Sequence, residues 1–150
     1  MNMSFVTLVP AEPELAFDLS TDIGTHLESM EESGERAVDG VTSGLIALGE
    51  SVTWNARHFG ITWKMTSTIT EWDRPHCFVD EQSRGPFASF HHVHRFKAVD
   101  GGTEMADEIE YQAPFGYLGE MVDRLILNRH LRKLIDIRNE FIVAAARRSG

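Results

Sequence analysis

Between Phe90 and Tyr111 the chain carries two alternating runs, Phe-His-His-Val-His-Arg-Phe-Lys (90–97) and Thr-Glu-Met-Ala-Asp-Glu-Ile-Glu-Tyr (103–111), on either side of Asp100-Gly101. Asp-Gly between such runs signals a tight hairpin turn, because glycine takes positive φ at no steric cost. That turn sets the register. On one face Phe96 meets Met105, His94 meets Asp107, His92 meets Ile109 and Phe90 meets Tyr111. The other face pairs Lys97 with Glu104, Arg95 with Ala106, Val93 with Glu108 and His91 with Glu110, a solvated surface of complementary charge. The first face is apolar except for two histidines and an aspartate. Polar groups in such company need partners, and a lined cavity supplies them where a dry core would not.

The same alternation recurs upstream. Val52, Trp54, Ala56 and His58 share a face, Phe59-Gly60 turns the chain, and Ile61, Trp63, Met65, Ser67 and Ile69 return. Residues 76–84 form another strand after Asp73-Arg74-Pro75. Phe78, Asp80 and Gln82 share one face of it, but the pattern leaves its direction open because Val79 would then face solvent. Residues 3–9 alternate as a first strand. Prolines and acids at 10–14 open a short helix, and a second runs from about Asp22 to Met30. A weak strand near 36–38 and a loop at 42–48 follow. After Gly116 the apolar period becomes 3.6: Leu118, Met121, Val122, Leu125, Ile126, Leu134, Ile135, Phe141 and Ile142 mark a helix of about 30 residues, roughly 45 Å long. The expected fold is α+β, with seven antiparallel strands, two short helices between strands 1 and 2, and a long C-terminal helix.

At 150 residues the chain suits a single domain with its own core. No apolar run reaches the roughly 20 residues of a membrane span, and the N-terminus has neither a basic segment nor a long apolar stretch, so no integral membrane association is expected and a cytoplasmic location is. A net charge of −9 disfavours nucleic acid as a partner. One cysteine, Cys77, excludes an intrachain disulfide and a multi-cysteine zinc site.

The motifs Gly49-Glu50-Ser51-Val52-Thr53-Trp54, Arg57-His58-Phe59-Gly60, Arg74-Pro75, Phe78-Val79-Asp80-Glu81, Gly85-Pro86-Phe87, His92-Val93-His94-Arg95-Phe96, Gly101-Gly102-Thr103 and Pro114-Phe115-Gly116-Tyr117-Leu118-Gly119, set in this element order, resemble the START-like or Bet v 1-like (SRPBCC) superfamily. The nearest likeness is to its polyketide cyclase/dehydrase and lipid-transport-like branch, and it covers nearly the whole chain. The resemblance implies a helix-grip fold, a curved sheet around the long helix with an apolar tunnel between them. Members of the superfamily bind lipids, sterols, polyketides, plant hormones or quinones, and a minority catalyse cyclisation or dehydration. These motifs punctuate structure more than they carry chemistry, so no catalytic residue transfers by position.

From the residues themselves, His94 opposite Asp107 is the sharpest candidate for catalysis. A carboxylate beside an imidazole raises its basicity and fixes its tautomer, as a general base requires; the competing reading is a cross-strand hydrogen bond. His92 and His94 with Asp107 could present three metal ligands. His-x-His alone is a weak signal, however, and the helix stripe adds no further ligand, so neither metal nor cofactor is expected. The expected ligand-binding residues are Trp54, His58, Trp63, Met65, Phe78, Asp80, Gln82, Phe90, His92, Phe96, Met105, Ile109 and Tyr111 on the sheet. On the helix they are Tyr117, Leu118, Val122, Leu125 and Ile126. The expected partner is a hydrophobic small molecule, such as a lipid, polyketide or aromatic metabolite, that is bound or carried. Two other functions stay open: a cyclase/dehydratase using His94 with Asp107, and a protein-interaction module using the acidic 28–35 stretch or the basic helix.

Overall fold

A computed structural model describes residues 1–149 as one antiparallel sheet of seven strands with helices on its inner side. β1 (Asn2–Val9), β2 (Arg36–Gly40), β3 (Ser51–His58), β4 (Ile61–Asp73), β5 (Cys77–Arg84), β6 (Ser89–Val99) and β7 (Gly102–Gln112) lie in the order β1-β7-β6-β5-β4-β3-β2. Every step from β2 to β7 is a hairpin between neighbours, and only the β1–β2 connection is long enough to carry helices. These are α1 (Pro13–Thr21) and α2 (Ile23–Ser29), followed by a single 3-10 turn, Glu31–Ser33. Pro13 starts α1, where its missing N–H costs nothing, and the Asp22 carboxylate caps α2 by accepting from the Thr25 amide at 3.1 Å.

The β6–β7 hairpin has the register expected from Asp100-Gly101: His94 stands opposite Asp107 and His92 opposite Ile109. Inward residues of β7 are buried and outward glutamates exposed, as period two requires. Phe59 and Gly60 at the β3–β4 turn both take positive φ, 55° and 74°, which is the primed turn whose twist matches that of the strands. On β5, Phe78 and Asp80 face the concave side, which fixes the direction the pattern left open. Val79 on the opposite face is nonetheless only 1 % exposed, the origin of that ambiguity.

The C-terminal helix is not uniform. α3 (Gly116–Val122) passes into a π turn, Asp123–Leu127, and then into α4 (Asn128–Ser149). Inward positions recur every four residues from Leu118 through Val122, Ile126, His130 and Leu134 to Arg138, a longer period than 3.6, and the wider π turn absorbs part of the difference. The π turn is pinned from the sheet. Tyr111 Oη donates to the buried Asp123 carboxylate at 2.5 Å and accepts from Asn128 Nδ2 at 3.0 Å. Burial and that carboxylate push the Tyr111 phenol up to about 12, so it stays protonated. Gly119 is where the helix start crosses the preceding strap, and a Cβ there would lie 1.6 Å from the Pro114 carbonyl oxygen.

α4 packs on α1, α2 and β1, and Ile142 and Ala146 join the main core with Val9, Phe17, Phe78, Phe96 and Met105. Phe17 has no exposed surface and sits edge-on to Trp72 and Phe78, with centroids at 4.9 and 5.2 Å. A second cluster gathers Met3, Ile109 and Tyr111 with Phe5, Phe87, Phe90 and Leu131. No described helix is long and apolar enough to cross a membrane.

Candidate functional site

Between the concave face of the sheet and the long helix is a cavity of about 790 Å³. Trp54, Trp63, Met65, Phe78 and Phe90 form its sheet wall, and Leu118, Val122 and Ile126 part of its helix wall. Phe59, Phe115, Leu118, Val122 and Ile126 line it while remaining exposed, so they rim its mouth. Polar groups enter at two places. His58, Nδ1 of which lies 3.0 Å from His130 Nε2, stands near the mouth with His26 and Glu35. Deeper on the sheet are Asp80, His92 and His94, faced by Arg138 from α4.

This deeper cluster is closely tied. Asp80 Oδ2 accepts from His94 Nε2 at 2.5 Å, and Asp107 Oδ1 accepts from His92 Nε2 at 2.7 Å. The two imidazoles stack, 3.7 Å between centroids, and Phe78 stacks on the far side of His94 at 4.0 Å. Asp107 is wholly buried behind the rings, where its carboxylate also accepts from Asn139 Nδ2 at 2.9 Å and from Arg138 at 3.4 Å. Arg138 NH2 lies 3.4 Å from His94 Nδ1. With Nε2 of both histidines donating, His94 Nδ1 accepts from Arg138, and His92 Nδ1 makes no hydrogen bond; its nearest carboxylate oxygen, on Asp80, is 4.0 Å away. The free imidazole nitrogen in the cavity wall is therefore that of His92.

Burial alone would raise the Asp107 carboxyl. The hydrogen bond from His92, the adjacent His94 ring and the Arg138 charge outweigh it and hold the group well below the usual carboxylate range. Asp80 is lowered in the same way, against its burial, by the hydrogen bond from His94 and the nearby cationic groups. Burial, reinforced by His94, lowers His92. Burial also lowers His58 and His130 at the mouth. All these shifts make the folded protein bind fewer protons than the unfolded chain. Stability should therefore fall on acidification, the histidine part being lost as pH drops through about 6.5 and the carboxylate part below about 4. Thermal unfolding followed from pH 8 to pH 4 checks this; a midpoint higher at pH 5.5 than at pH 7.5 would contradict the sign.

Of the expected contacts, Trp54, His58, Trp63, Met65, Phe78, Asp80, Phe90, His92, His94, Leu118, Val122 and Ile126 lie in the cavity wall. The others lie elsewhere. Phe96 and Met105 face inward but are covered by α1, where Ser20 Oγ reaches Met105 Sδ at 3.6 Å. Ile109 and Tyr111 belong to the second core cluster, and Asp107 sits behind His92. Gln82 spans the β5–β6 connection, bonding both the Phe87 amide and its carbonyl oxygen. Tyr117 and Leu125 turn outward, 90 and 69 % exposed. His94 stands opposite Asp107 in register, with Nδ1 3.3 Å from its Oδ1, while the shorter bonds run from His92 to Asp107 and from His94 to Asp80. Arg138 and Asn139 were missed. Their signal was present, since Arg138 interrupts the apolar ladder between Leu134 and Ile142 with a charge.

A grip of antiparallel strands around a long helix, enclosing an apolar cavity with a few buried polar groups, defines a small-molecule-binding class of α+β proteins. A sequence model of the family "Polyketide cyclase / dehydrase and lipid transport" matches residues 2–138, and the chain belongs to that family. No curated protein matches in sequence. Among solved structures, the chain is similar to TTHA0849 from Thermus thermophilus, at 17 % identity and TM-score 0.74, covering 97 % of this chain and 99 % of that one. It is also similar to the Zhui aromatase/cyclase from Streptomyces sp. R1128, at 13 % identity and TM-score 0.78, covering 99 and 94 %. A third likeness is to Ara h 8.0201, at 14 % identity and TM-score 0.67, covering 96 and 98 %. At these identities the likeness is one of fold.

Proposed function

We propose that the protein binds a hydrophobic, partly oxygenated small molecule in the cavity between sheet and helix, as a carrier or binding protein for a lipid, polyketide or aromatic metabolite. The observation that carries this reading is the cavity itself, about 790 Å³ and walled mainly by aromatic and aliphatic side chains, within the size range of small-molecule sites. Apolar burial supplies affinity. His92 Nδ1 is a hydrogen-bond acceptor for a ligand hydroxyl, and Arg138 is a donor for a carbonyl or carboxylate oxygen.

A second reading is favoured by one feature of the cluster. His92, with Asp107 behind its Nε2–H and an unpartnered Nδ1 toward the cavity, is arranged as a general base and could remove a proton from a bound hydroxyl or an acidic C–H. Asp107 would keep the tautomer and stabilise the imidazolium formed. In this reading the enzyme is of the cyclase/dehydratase type, with His92 in the role expected of His94.

Native mass spectrometry of the purified protein, followed by titration with an apolar fluorescent probe, tests the first reading. The wild-type protein should carry a discrete small-molecule mass or bind the probe one to one. Ala56→Trp, which fills the cavity from β3, should weaken binding at least about tenfold, about 1.4 kcal/mol. Probe binding unchanged in that variant would place it outside the cavity and sink the proposal. His92→Ala separates the two readings once the ligand is known, because a carrier keeps apolar binding and an enzyme loses turnover.

A further inference from the structure

Three side chains of the deeper cluster offer more than hydrogen bonds. Asp80, His92 and His94 each present a ligand atom, all within 4.8 Å of one another, in the cavity wall. Asp80 Oδ2 is the common point, 2.5 Å from His94 Nε2 and 4.0 Å from His92 Nδ1. On the opposite edges of the same two rings, His92 Nε2 and His94 Nδ1 lie 2.7 and 3.3 Å from a single oxygen of Asp107. Each imidazole thus has one nitrogen toward Asp80 and the other toward Asp107. Two histidines and a carboxylate at such distances, with a buried carboxylate behind the rings, is the donor set of catalytic zinc sites, in which an outer carboxylate orients the ligating imidazole.

We infer that Asp80, His92 and His94 form a binding site for one first-row divalent metal ion that accepts tetrahedral coordination, of the zinc class, with Asp107 holding both rings from behind. Metal binding goes beyond the uptake of a hydrophobic ligand and does not depend on it. Ligand atoms about 2.0–2.1 Å from a tetrahedral ion are roughly 3.3 Å apart. The Asp80–His94 contact is shorter than this and the Asp80–His92 contact longer, so loading opens one and closes the other by less than an ångström each, and the rings swing out of their stack. The proton balance also closes. His92 already donates Nε2–H to Asp107 and keeps Nδ1 free. His94 moves its proton from Nε2 to Nδ1, where Asp107 accepts it, and Arg138 releases that nitrogen. The neutral donors His92 and His94, with anionic Asp80 and Asp107, cationic Arg138 and a divalent ion, sum to one positive charge. The remaining coordination position, open to the cavity, is therefore suited to an anionic oxygen of water or of the bound molecule.

The test is titration of the metal-stripped, full-length protein with Co²⁺, read by its visible absorption, and with Zn²⁺ by calorimetry. One equivalent should bind, with the spectrum of a four- or five-coordinate nitrogen–oxygen site. Asp80→Asn and His92→Gln should each weaken binding by more than the roughly 10–100-fold expected for loss of an outer partner, while His91→Ala, on the outer face of β6, should leave it unchanged. The wild-type spectrum is decisive even if a variant fails to fold. Weak binding with a six-coordinate, aquo-like spectrum, or tight binding that survives both cluster variants and is lost on His58→Ala at the mouth, overturns the site. Apolar probe binding by the metal-stripped protein keeps this outcome separate from failure of the ligand-binding proposal.

Discussion

Asp107→Ala should destabilise the protein by about 3–5 kcal/mol, the usual cost of removing one partner from a buried ion pair and leaving the other charged. Asp107 is fully buried and accepts from His92, Asn139 and Arg138. Truncation leaves Arg138, a residue 6 % exposed, without the carboxylate it pairs with, leaves the His92 Nε2–H without an acceptor, and leaves Asn139 Nδ2 only Thr7 Oγ1 at 3.3 Å. Domains of this size have about 5–15 kcal/mol in all, so the variant should fold marginally. Denaturant unfolding at pH 7 measures the loss. The deficit should shrink as pH falls below about 4, because the unfolded wild-type chain then takes up a proton at Asp107 while the folded protein, its carboxyl held lower, does not, and the wild-type advantage is progressively lost. A loss below about 1 kcal/mol at pH 7 would mean that water or rearranged neighbours satisfy the cluster, and the geometry proposed for the metal site would lose its support.

Phe17→Ala should cost a similar amount, about 3–5 kcal/mol, for an unrelated reason. Phe17 is the one aromatic side chain of α1 and plugs the core between that helix and the sheet, in edge contacts with Trp72 and Phe78 and a tilted contact with Phe96 at 5.3 Å. Truncation removes those contacts and leaves a void that its rigid neighbours cannot close. The two variants differ in their pH dependence. The Phe17→Ala deficit should be nearly constant from pH 8 to pH 5, and a strongly pH-dependent one would mean that α1 is coupled to the histidine cluster. Loss of cavity binding in Phe17→Ala at a temperature where it remains folded would show that α1 supports the cavity wall as well as the core.

The β-hairpins were legible because their information is local. Period two decides which side chains share a face, and Asp100-Gly101 and Phe59-Gly60 each set a register that carries along two whole strands. That is why turn position and alternation suffice to put His92, His94 and Asp107 on the concave side of the sheet, and Trp54, Trp63 and Met65 with them. Position on a face, however, does not say what lies opposite. Met105 and Phe90 are equally inward, yet α1 covers one and the cavity borders the other. The helix stripe misled for a related reason. A 3.6-residue period assumes a regular α-helix, and the π turn at 123–127 shifts the phase, turning Leu125 to solvent and bringing His130 inward.

Backbone periodicity and turn chemistry, acting between residues close in the chain, were thus enough to fix the α+β element order, the hairpin registers, the inward face of most long strands and the presence of polar groups on an apolar surface. Folding in three dimensions was needed to choose the direction of β5, the crossed pairing of His92 with Asp107 and His94 with Asp80, and the convergence of Arg138 and Asn139 on that cluster. These depend on side chains from β5, β6, β7 and α4, with partners up to 44 positions apart between His94 and Arg138, and hydrogen-bond partners at such separation are chosen by rotamer and distance only after the helix is seated in the sheet.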